Sequence, residues 1–135
     1  MLNMKFTDKE YLNKTLTVID ACQTDSLIEF SFNLPVDFHD LSNTNNKKGL
    51  SIKRFLDEDF KLKMTQQNKS DLISVIAHNF KEGDICHYAF YTGNLKIGEG
   101  FDHCVINFLN PKYFIFSDSH FANLIDDEVN FTELI

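Results

Sequence analysis

The chain has 135 residues, 43% of them hydrophobic and 24% charged, with a formal net charge of −7. That length suits one domain over residues 1–135 with one ordinary core. The composition excludes a disordered chain, which needs low hydrophobicity beside high net charge. The only basic cluster, Lys47-Lys48 with Lys53-Arg54, is broken by Asp57-Glu58-Asp59. Nucleic acid is therefore not expected as a partner, because phosphate neutralisation needs gathered Lys and Arg.

The first eight residues, Met1 to Asp8, contain no apolar signal region, and no stretch approaches the ~18 apolar residues of a membrane helix. Three cysteines, Cys22, Cys86 and Cys104, are an odd number. Free thiols in a reducing cytoplasm are the expectation. Abundant Asn and Lys hint at an AT-rich bacterial or phage genome, by association only.

Thr7 to Glu10 has capping-box spacing, so a short helix is expected from Asp8 to about Lys14. Thr15 to Ala21 reads as a strand, because Thr15, Thr17, Val18 and Ile19 are β-branched. Gln23 to Ser26 is turn chemistry. In Leu27 to Leu34 the residues Ile28, Phe30, Phe32 and Leu34 alternate with polar ones, which predicts a half-buried strand ended by Pro35. The polar run Ser42 to Gly49 reads as an exposed loop. Ser51 to about Leu62 reads as a helix. Leu72, Ile73, Ile76, Ala77 and Phe80 form the stripe of a second one, with Gly83 at a C-terminal cap position.

After Gly83 the period becomes two. Asp84 to Tyr91 reads as a strand, Thr92-Gly93-Asn94 as a turn, and Leu95 to Ile97 as a brief return. Gly98-Glu99-Gly100 reads as a tight turn. His103 to Leu109 and Tyr113 to Ser117 follow as strands around Asn110-Pro111-Lys112. Short turns between strands make antiparallel pairs, and helices grouped between them pack on one sheet face. The fold class is α+β: an antiparallel sheet of about five strands with two helices packed on one face.

Charge is unevenly distributed. Residues 84–135 hold eight acids against two bases, residues 46–83 sum to +3, and residues 1–45 to −4. Summed charge steers encounter with a partner. A protein that presents Lys and Arg to phosphate, such as a nuclease toxin, would be met well by an acidic inhibitor. The expected function is a small acidic cytosolic protein-binding domain of the immunity-protein or antitoxin type. Its candidate partner-binding residues are Asp102, Asp118, Phe121, Asp126, Asp127 and Glu128. Tyr88, Tyr91, Phe101 and Phe131 are further aromatics placed to anchor a partner. No cofactor is called for.

Cys86-His87, His103-Cys104 and His120 offer five soft or borderline ligands. Adjacent strand residues point to opposite faces, so no metal site is expected from them. His103 and Asp118 flank a strand-turn-strand segment, His103-Cys104-Val105-Ile106-Asn107 through Tyr113-Phe114-Ile115-Phe116-Ser117-Asp118. Over these sixteen residues the chain resembles the His and Asp element of papain-like cysteine hydrolases. The resemblance implies an alternative function, a small cysteine hydrolase with Cys22 as nucleophile, His103 as base and Asp118 as its orienter. In that family the nucleophilic Cys opens a helix, whereas Cys22 reads as closing a strand.

Overall fold

Seven strands pair antiparallel in one sheet in the computed structural model, which describes residues 2–5, 11–32, 47–81, 84–101, 106–117 and 132–133. The elements in chain order are β1 (Leu2–Lys5), α1 (Tyr11–Ala21), β2 (Ser26–Phe32), α2 (Lys47–Ile52), a 3₁₀ turn (Lys53–Phe55), β3 (Leu62–Met64), α3 (Lys69–Asn79), β4 (Ile85–Thr92), β5 (Leu95–Phe101), β6 (Ile106–Leu109) and β7 (Thr132–Glu133). The sheet order is β3-β2-β4-β5-β6-β1-β7. The class is α+β, as the sequence indicates. Among the described residues there are seven strands and three α-helices, beside the about five and two expected. Two of the added strands, β3 and β7, span three and two residues, too few to carry a readable alternation.

The segment Thr15–Ala21 is helical, a correction to the expected strand. Residues 15 to 19 are all buried, on every side of the helix. A helix buried all round loses its amphipathic stripe, and a short β-branched apolar run then reads equally well as a strand. The second correction concerns Ser51–Leu62. Here α2 starts earlier, at Lys47 within the expected loop, and the helical backbone stops at Phe55. Asp57 ends it: its Oδ1 accepts the Asp59 and Lys61 backbone N–H groups, each at 2.9 Å, in a turn that leaves Phe60 at φ 62°. Such local carboxylate-to-backbone bonds compete with a continuing helix.

One sheet face carries Ile28, Tyr88, Phe90 and Leu109. These join α1 residues Leu12, Leu16 and Ile19 and α3 residues Leu72 and Ile76 in a single apolar cluster. Gly98 and Gly100 lie between those strands, paired to Phe90 and Tyr88. They are strand residues of β5, not the expected turn. The reason is packing. A Cβ on Gly100 would sit 2.1 Å from the Tyr88 ring, and one on Gly98 would sit 3.0 Å from Leu109 and Phe114. Glycine in a strand interior commonly marks such a close approach. A register shift between Phe90 and Tyr91 puts Ile97 into the core beside Gly98.

The expected strand Tyr113–Ser117 is also corrected: only Phe114 makes a bridge, to Cys22. Its backbone is bound instead to the end of α1, where Gln23 N–H donates to the Tyr113 carbonyl at 2.8 Å and Ile115 N–H to Ala21 at 3.0 Å. The expected capping box, the residues 42–46 of the expected loop and Gly83 lie outside the described residues.

Candidate functional site

The sheet face turned away from the helices alternates with the core face by the two-residue period of the strands. It presents Leu27 and Glu29 from β2, His87 and Tyr91 from β4, Lys96, Glu99 and Phe101 from β5, and Phe108 from β6. Glu99 is its hub. One carboxylate oxygen accepts from Lys96 Nζ at 2.9 Å and lies 3.2 Å from His87 Nε2. The Glu99 hydrogen bond holds the Lys96 ammonium above its usual pKa. Lys61 is raised in the same sense by its hydrogen bond and charge pairing with Glu29, 3.0 Å away. Both ammoniums also face the Tyr91 ring, at 5.7 and 5.8 Å from its centroid. Beyond Glu99 the rings of His87, Phe101 and Phe108 run in a line, with centroids 5.2 and 5.9 Å apart.

Three acids of the described body, Asp84, Glu29 and Glu99, are ion-paired. Asp84 is buried, accepts the Lys81 backbone N–H at 2.9 Å, and is ion-paired with Lys48. Glu29 and Glu99 have the lysine partners named above. Twelve of the thirteen Lys and Arg residues are described, but only ten of the twenty acids. The other ten are Asp8, Glu10, Asp37, Asp40, Glu82, Asp102, Asp118, Asp126, Asp127 and Glu128, and Lys9 alone accompanies them. The body is therefore slightly basic, and the excess negative charge belongs to the remaining stretches of sequence.

Register shows where the described chain leaves and enters the sheet beside several of these stretches. The described chain leaves the sheet after Lys5, Phe32 and Phe101 and re-enters it at Ile85, Ile106 and Thr132. Lys5 pairs with Ile106 and Ile106 with Phe101. Phe32 pairs with Ile85 at the same end of β2 and β4. Asn3 pairs with Thr132 and Leu2 with Glu133, so β7 also enters from the Lys5 side. All six points lie at one end of the sheet. The other end carries Asp25, Thr65 and the Gly93-Asn94 turn. Sequence reasoning found the charge imbalance but missed this shared end, because it depends on strand register.

Of the residues singled out in the sequence, Asp102, His103, Asp118, Phe121, Asp126, Asp127, Glu128 and Phe131 lie outside the described residues. Cys22 is described. It follows the last turn of α1, so it closes a helix rather than a strand. It is 0% exposed, and its Sγ lies 3.5 Å from both the Thr24 carbonyl and the Ser26 hydroxyl. Activated thiols commonly sit at helix N-termini and are partly exposed. Cys22 has the opposite placement on both counts. Tyr88, expected as an exposed anchor, is wholly buried, whereas Tyr91 is half-buried and Phe101 is 39% exposed. Among the described residues no three of His, Cys, Asp and Glu gather as a metal ion would require, and no helix is long and apolar enough to cross a membrane.

No family model, curated protein or solved structure matches this chain.

Proposed function

We propose that this chain is a protein-binding domain whose partner presents a basic surface, in the manner of a bacterial, cytoplasmic immunity protein or antitoxin held against a nuclease-like toxin. One observation carries the reading. Ten acids and a single lysine fall in the stretches of sequence outside the described residues, whereas the described residues hold ten acids against twelve Lys and Arg. An excess of acids over bases in those stretches is the charge that a basic partner would meet. Its contribution is greatest in association rate and in rejection of acidic partners. Asp102, Asp118, Asp126, Asp127 and Glu128 supply the charge, and Phe121 and Phe101 supply apolar contact area.

The test is coexpression in bacteria with a panel of basic nuclease toxins. The wild-type chain restores growth against at least one toxin. Reversal of Asp126, Asp127 and Glu128 to Lys weakens that protection, and added salt slows association of the purified pair. Growth restored by no member of the panel removes the neutraliser reading. Protection unchanged by the reversals removes the acidic contact.

A further inference from the structure

We draw no further inference here: the strongest candidate, the row of rings that His87, Phe101 and Phe108 form on the sheet face turned away from the helices, carries nothing because nothing in the structure shows what covers it.

Discussion

The Tyr88 hydroxyl donates to the Asn107 side-chain oxygen across the β4 and β6 strands, with both residues wholly withdrawn from solvent. Between them, on β5, Gly100 leaves the space that the Tyr88 ring fills. The ring, the hydrogen bond and the glycine form one unit. A buried hydrogen bond broken from one side costs about 1–3 kcal/mol. Tyr88→Phe is therefore expected to lower unfolding free energy by about that amount in urea. Gly100→Ala forces the ring to move and costs about 1–3 kcal/mol or more. The two sites are coupled: Gly100→Ala costs less in a Tyr88→Leu background, where the ring it strikes is gone. Strict additivity in that cycle would disprove the packing account of Gly100.

That unit also marks the limit of what the sequence makes legible. The strand Ile85–Thr92 and the helix Lys69–Asn79 are readable because one face of each alternates or repeats cleanly. Gly98-Glu99-Gly100 is not, because glycine chosen for a neighbouring ring looks the same as glycine chosen for a turn. Thr15–Ala21 fails for a related reason: full burial erases the helical stripe. The charge imbalance of Asp102, Asp118 and Asp126 to Glu128 is plain in the sequence. That β1, β2 and β5 end, and β4 and β6 begin, at a common sheet end is set by pairings such as Lys5 with Ile106, which no local pattern encodes.

The end of α1 is held by a side chain from another helix. Lys69, the first residue of α3, donates from Nζ to the Asp20 carbonyl at 2.9 Å and to the Cys22 carbonyl at 2.5 Å. Carbonyls at a helix C-terminus lack intrahelical partners and carry the negative end of the helix dipole. Hydrogen bonds from a charged donor are worth about 1.5–3 kcal/mol. Lys69→Met should destabilise the fold by about 1–2 kcal/mol, because water replaces part of the contact, and Lys69→Arg should restore most of it. Equal stability of wild type and Lys69→Met in a denaturant series would show that the cap contributes nothing.

The outer-face ion pairs predict a dependence at high pH. Lys61 and Lys96 are both held above 10.5, chiefly by hydrogen bonds to Glu29 and Glu99. A folded-state pKa raised above the unfolded value adds stability that is complete below the unfolded value. That stability is lost as pH rises through the folded value. Wild type should therefore be more stable than Glu29→Gln or Glu99→Gln near neutral pH by a small margin, since exposed pairs are weak. The margin should close above about pH 10.5, where the lysines lose their protons. A margin that stays constant up to about pH 12 would mean that these carboxylates act by packing instead of charge.

The two cysteines in the described body separate the binding role from the hydrolase alternative. Cys22 is fully buried and Cys86 is half-buried on β4. A buried thiol reacts only through local opening, which occurs with low probability in a packed core. Peptide-resolved iodoacetamide labelling at neutral pH should modify Cys86 about tenfold or more faster than Cys22, and mild urea should narrow the gap as opening increases. A hydrolase nucleophile behaves in the opposite way: it is accessible and activated in the native state, and denaturant slows its labelling. The direction of the urea effect on Cys22 therefore discriminates between the two readings, even where absolute rates are ambiguous. Acceleration by urea identifies a core thiol beneath the Phe114 strap. Inhibition by urea would instead require Cys22 to be a working nucleophile, and the acidic stretches would then have to be read as part of a catalytic cleft.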